Sequence, residues 1–87
     1  MYVIVVYDIA QQRVGKVCRY LRTKLNWIQN SVFEGELTNS QFMELENELK
    51  KLIDLNADSV LVFRVQKKGL LEKNIVGIEK SPVENIF

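Results

Sequence analysis

The apolar run MYVIVVY is closed by a single carboxylate, Asp8, and the next acidic residue along the chain is Glu34. Between them stand Arg13, Lys16, Arg19, Arg22 and Lys24. Two kinds of chemistry follow from these types and spacings. A short carboxylate just beyond a strand can accept backbone N–H bonds from the turn or helix behind it. A stretch of cations uninterrupted by acids can hold a polyanion such as a phosphate backbone, even though the whole chain carries a formal charge of only +1. The chain has no histidine and one cysteine, Cys18. Imidazole catalysis, an intrachain disulfide and a multi-cysteine zinc site are therefore excluded.

The elements that must position these residues are legible from periodicity. Over residues 1–9 side chains alternate, with Val3, Val5 and Tyr7 on one face and Ile4, Val6 and Asp8 on the other. Both faces are apolar, as in a central strand covered on both sides, here by helices on one side and a partner subunit on the other. A first helix is expected over 13–25, with Val14, Val17, Cys18, Leu21 and Leu25 in one stripe and the basic residues around the rest. Residues 27–37 read as one kinked strand or two very short ones, bent near 29–31. Thr38 and Gln41 have capping-box spacing, and Phe42, Leu45, Leu49, Leu52 and Ile53 form the stripe of a second helix ending near Leu55. Its outer face carries Glu44, Glu46, Glu48 and Asp54. Strands are expected over 59–65 and 74–79, joined by a loop containing Lys67, Lys68 and Gly69. This order predicts an α+β, ferredoxin-like fold in which two helices cover one face of an antiparallel sheet. Residues 1–80 form that domain and 81–87 a terminal segment.

At 87 residues and 47% hydrophobic content the chain makes one small domain, which gains from burial against a second copy. No run reaches membrane-spanning length and the start lacks signal-peptide features, so a cytoplasmic protein without membrane contact is expected.

The sequence YDI at the end of the first strand, Arg13, the Lys16–Val17 pair and IQNSVFEGEL together resemble the small CRISPR-associated family that is the second of the two universal spacer-acquisition proteins. The resemblance covers essentially the whole chain. It implies a homodimer with facing sheets, in which a segment near the C-terminus pairs with the other subunit; Pro82, Val83 and Ile86 would supply that contact here, while Phe33, by its type, is taken as core or dimer-interface packing in preference to a stacking platform. It implies either a Mg²⁺-dependent endonuclease acting on single-stranded RNA or double-stranded DNA, or a noncatalytic bridge between CRISPR integrase dimers. The metal-binding aspartate of the family maps onto Asp8, and Arg13 matches the arginine that begins the first helix in many members. Two positions depart from the pattern. Val14 stands where many members have a second arginine, and Trp27 where an arginine commonly precedes the V/I-Q pair.

Asp8 thus admits three readings. It caps the following turn or helix; it is a catalytic Mg²⁺ ligand paired with Asp8 of a second copy across a two-fold axis; or the facing pair binds a cation or proton that only holds the dimer together. Arg13, Lys16, Arg19 and Arg22 are the candidate nucleic-acid contacts, with Arg64, Lys67 and Lys68 as weaker additions. Tyr7 is a candidate to orient Asp8, Cys18 a small core residue, and Trp27 either a stacking platform or packing. Glu34 and Glu36, which share a strand face, are expected to be exposed or to touch a partner. A ribonuclease toxin of the virulence-associated type is a third functional class with this fold. The aromatic, glycine-flanked signature of an RNA-recognition motif is absent.

Overall fold

In the computed structural model, which describes residues 1–81, strand β1 (Tyr2–Asp8) is followed by helix α1 (Gln11–Arg22), strands β2 (Asn26–Gln29) and β3 (Val32–Glu36), helix α2 (Asn39–Leu52) and strand β4 (Ser59–Val65). The strands form one antiparallel sheet in the order β2-β3-β1-β4. This is the expected α+β architecture, and 27–37 resolves into two short strands. Asn30 occupies the left-handed region at φ 40° in the turn between them. Its short amide side chain makes asparagine one of the few residues that tolerate that conformation.

The pleat of β1 sorts the molecule into two faces. Val3, Val5 and Tyr7 are buried with Phe33 of β3, Val17 and Leu21 of α1, and Phe42, Leu45 and Leu49 of α2 in a single core. Both helices therefore lie on that face. Gly35 pairs with Val3 on the same face, where a β-carbon would sit 3.0 Å from the Leu25 side chain. The absent side chain lets the chain leaving α1 pass close over the sheet. Ile4, Val6 and Asp8 point to the opposite, open face, in register with Glu34 and Val32 of β3 and with Phe63, Leu61 and Ser59 of β4.

The helix ends follow local chemistry. Thr38 accepts from the Gln41 amide at 3.1 Å while the Gln41 side chain accepts from the Thr38 amide at 2.9 Å, so the capping box forms as expected. Helix α1 begins at Gln11, earlier than Arg13, and stops at Arg22, short of Leu25. The Thr23 hydroxyl and amide both donate to the Tyr20 carbonyl, tightening the last turn and still delivering Leu25 to the core.

Three expectations are corrected. Of the two places expected for Phe33, core and interface, the structure gives the first: it has no exposed surface and is not available to a partner. The register decides this: Phe33 stands opposite Val5, on the helix side. Residues 74–79 do not form a strand; Gly77 at φ 97° breaks the extended backbone. Helix α2 ends at Leu52 instead of near Leu55. Pro82, Val83 and Ile86 lie outside the described residues.

Phe33→Ala is expected to lower the free energy of unfolding by about 3–5 kcal/mol, the usual cost of emptying a phenylalanine site in a packed core. Urea denaturation followed by circular dichroism measures it.

Candidate functional site

Asp8 is the last residue of β1 and lies exposed on the open face. Its neighbours on either side fix its position. Behind it, Tyr7 turns into the core, where its ring stacks on Phe33 at 6.3 Å and its hydroxyl lies 2.7 Å from the Cys18 sulfur. Tyr7 thus faces away from Asp8 and does not orient it through a side-chain bond. Burial first, and then the contact with Cys18, push the Tyr7 hydroxyl well above its ordinary pKa, so it stays neutral. The Tyr7 amide also donates to the Ser31 carbonyl at 3.1 Å, tying the end of β1 to the β2–β3 turn.

Ahead of Asp8 the chain is held by a residue that sequence reasoning missed, Asp58. Its side chain is only 1% exposed. One oxygen accepts from the Ala10 amide at 3.0 Å and from Arg13 Nη2 at 3.0 Å; the other accepts from Arg13 Nε at 2.6 Å and from the Asp54 amide at 2.9 Å. The loop leaving β1 is thereby fastened to the loop entering β4. Asp8 itself pairs with Ser59, the residue after Asp58. The Arg13 guanidinium, followed by the Asp54 and Ala10 amides, holds the Asp58 carboxyl well below the usual carboxylate range against the opposing effect of burial.

This arrangement answers the first reading of Asp8. The residue preceding α1 is Ala10, with no side-chain cap, and the carboxylate that reaches the Ala10 amide is Asp58. Among the described residues none donates a hydrogen bond or ion pair to the Asp8 carboxylate. No cluster of three metal-ligating side chains occurs among the described residues either. At the end of β1 one chain thus offers a carboxylate with no donor among the described residues, which fits a hard cation held by one or two carboxylates, waters and substrate phosphates.

The basic residues divide into two groups. Arg13 spends its forked donors on Asp58, an inward bond between residues far apart in sequence that no local pattern signals. Lys16, Arg19 and Arg22 are exposed on α1, with the Arg22 guanidinium 5.9 Å from the Trp27 ring centroid. The indole of Trp27 is half-buried against the core and donates to the Asn30 carbonyl at 3.0 Å. Arg64 packs over Phe42 on the helix side, its guanidinium 4.8 Å from the ring centroid. Lys68 reaches over Tyr2.

Glu34 corrects a further expectation. It is 3% exposed, not a surface residue, and takes a bond from the Tyr2 hydroxyl at 2.6 Å and an ion pair from Lys73 at 3.0 Å. Residues 73–81 consequently run back across part of the open face, leaving a groove of about 410 Å³ lined by Ile4, Ile28, Val32, Glu34 and Ile78 among others. Glu36 is exposed and pairs with the terminal ammonium at 2.8 Å.

The family model described as "CRISPR associated protein Cas2" matches residues 1–73. The chain belongs to the Cas2 family. A relative from Pyrococcus furiosus named CRISPR-associated endoribonuclease Cas2 is 48% identical over 87 residues, covering all of both chains. One of the same name from Methanothermobacter thermautotrophicus is 45% identical, covering all of this chain and 96% of that protein. A solved structure titled "Crystal structure of cas2" superposes with a TM-score of 0.87 at 49% identity, covering 94% of this chain and 92% of the other. Streptococcus pyogenes Cas2 matches at a TM-score of 0.79 with 26% identity, over 88% of this chain and all of the other. The chain thus has the fold of these Cas2 structures. Among the described residues no helix is long and apolar enough to cross a membrane.

Because the folded-state pKa of Asp58 lies below its unfolded value, the stability it contributes is complete above the ordinary carboxylate pKa, about 3.9, and is lost as pH falls below that value. Urea midpoints measured from pH 6 down to pH 2 should fall more steeply for the wild type than for Asp58→Asn in the window below about pH 4.

Proposed function

We propose that this member of the Cas2 family is a homodimeric, Mg²⁺-dependent endonuclease of CRISPR spacer acquisition, cutting single-stranded RNA or double-stranded DNA. The observation that carries the reading is Asp8, an exposed carboxylate without a donor among the described residues, beside the apolar Ile4, Val6, Leu61 and Phe63 of the same face. The names of the relatives from Pyrococcus and Methanothermobacter, both endoribonucleases, supply the reaction class. The open face supplies the argument for a second copy: Leu61 and Phe63 are 55% and 57% exposed on β4, beside Ile4 and Val6. Large apolar side chains gathered on one sheet face mark an association surface. An isologous interface over that face duplicates every group and so provides a second Asp8.

In this mechanism the Asp8 carboxylates of the two copies would hold the Mg²⁺, which when bound would supply a water of lowered pKa and offset negative charge on the scissile phosphate. The exposed cations Lys16, Arg19 and Arg22 grip the flanking phosphates, contacts that position a strand without reading its bases. Arg13 is assigned inward, to Asp58, instead of to phosphate. The terminal segment, with Pro82, Val83 and Ile86, is assigned to the partner subunit, and a CRISPR integrase to the assembled dimer as its protein partner. The cytoplasm, where CRISPR arrays and their transcripts lie, is the compartment this reading requires.

The test is cleavage of single-stranded RNA and duplex DNA with and without Mg²⁺, using wild type and Asp8→Asn purified side by side and checked to be equally dimeric. Activity dependent on Mg²⁺ and lost by at least a hundredfold in Asp8→Asn is expected. Equal activity in both proteins would remove Asp8 from the chemistry. Inactivity in both, with DNA binding retained, would favour the noncatalytic bridge.

A separate measurement checks the basic helix. Lys16→Ala and Arg19→Ala should each weaken RNA and DNA binding regardless of sequence. Each should also reduce the slope of log K against log salt by about one unit, read by fluorescence anisotropy.

A further inference from the structure

We propose that Asp58 is the positioning residue for Asp8, and that its ion pair with Arg13 sets the metal affinity of the site. This rests on the reading above that Asp8 ligates the metal. Asp8 is attached at two points to the segment that carries Asp58. Its own residue pairs across the ladder with Ser59, and two residues further along, the Ala10 amide is bound by Asp58 Oδ1 at 3.0 Å. Residues 8–10 and 58–59 therefore close a small, doubly anchored ring of backbone at the end of the sheet.

Arg13 completes the device. It lies in the first turn of α1, and its two-pronged bond at 2.6 and 3.0 Å fixes the plane of the Asp58 carboxylate from the helix side. With the Asp54 amide on the remaining lone pair, the carboxylate has donors from the β1–α1 loop, from α1 and from the α2–β4 loop. A group 1% exposed and bound in that way cannot turn without breaking several bonds together. The Ala10 amide inherits that rigidity, and so does the short stretch from Asp8 to Ala10.

A free carboxylate on a flexible strand end samples many orientations, and each metal-binding event must then select one of them. Holding its backbone in place removes that loss, which is how groups outside the ligand set commonly change metal affinity by about 10–100-fold. Asp58 touches neither metal nor substrate in this scheme and acts through backbone alone. A purely structural staple would stabilise the fold equally without altering affinity, so the two roles separate experimentally.

The experiment compares the intact wild-type chain with Asp58→Asn, which keeps the shape but loses the charge that binds Arg13, and with Arg13→Lys. The lysine keeps the cation without its fork. Cleavage is followed over a Mg²⁺ titration, and amide hydrogen exchange at Ile9 and Ala10 is followed without metal. The half-saturating Mg²⁺ concentration is expected to rise about tenfold in Asp58→Asn and less in Arg13→Lys, with the rate at saturating Mg²⁺ kept within a fewfold. Exchange at Ile9 and Ala10 should quicken in the same order while exchange in β3 stays unchanged. An unchanged Mg²⁺ midpoint alongside a lowered melting temperature would overturn the proposal and leave Asp58 a structural staple. If the wild type does not cleave, the nuclease reading falls while Mg²⁺ binding measured by isothermal titration calorimetry still decides this one: weaker binding in Asp58→Asn supports the positioning role, and unchanged binding overturns it. Should Asp58→Asn fail to fold, Arg13→Lys carries both measurements.

Discussion

The register of β1 is the constraint on which the rest depends. In a strand at the centre of a sheet, a slip of one residue exchanges the two faces completely. Such a slip here would turn Asp8 into the helix core and send Tyr7 to the open side. The packing of Tyr7 on Phe33 and its contact with Cys18 oppose that slip. So does the pairing of Val5 with Phe33 on one side and Val62 on the other. The position of the exposed carboxylate is thus decided by apolar packing on the far side of the sheet.

Four carboxylates illustrate how the chain treats negative charge around that sheet. Glu34 is buried and receives a hydroxyl and an ammonium. The Asp58 side chain is covered and receives a guanidinium and two backbone amides. Glu36, at the rim, takes the terminal ammonium. Buried charges without partners are too costly to persist, which accounts for the first two. Asp8 differs from these: it is in water and no described residue engages it. Solvation makes that state inexpensive for a single chain, but the state becomes costly once another surface covers it.

Local signals carried much of the architecture. Alternation in MYVIVVY assigned the faces of β1, the helical stripes named Val17, Leu21, Phe42, Leu45 and Leu49 as core, and Thr38 with Gln41 marked the start of α2. What was not legible depends on contacts between distant residues. Alternation puts Phe33 and Gly35 on one face of β3 and Glu34 on the other, but both faces of β1 are apolar, so the sequence alone does not say which one meets the helices. The register does. Residues 74–79 look like a strand because Ile75, Val76 and Ile78 are β-formers, yet Gly77 adopts a conformation that interrupts extension. The candidate site was half legible. Asp8 stands out by isolation, whereas Asp58 sits in an unremarkable NADS turn and gains its meaning only from Arg13, 45 residues earlier. Of the four cations counted toward a nucleic-acid surface, the fold turns Arg13 inward.

On the proposed reading, association and metal binding are linked through the open face. Burying Leu61 and Phe63 against a second copy favours association by about 25 cal/mol for each Å² of apolar surface removed from water. The same two-fold brings one Asp8 toward another, and like charges at close range disfavour it. A divalent cation between them removes the repulsion, so a metal that prefers the dimer must tighten the dimer by the same factor. The arrangement also requires each Asp8 to arrive already oriented, because two mobile strand ends would lose conformational freedom together when the ion bound. The ring closed by Asp58 and Arg13 lies within a single chain and so exists before any partner does. Orientation is then established on folding, leaving association to supply the second carboxylate and the ion to offset the charge between them.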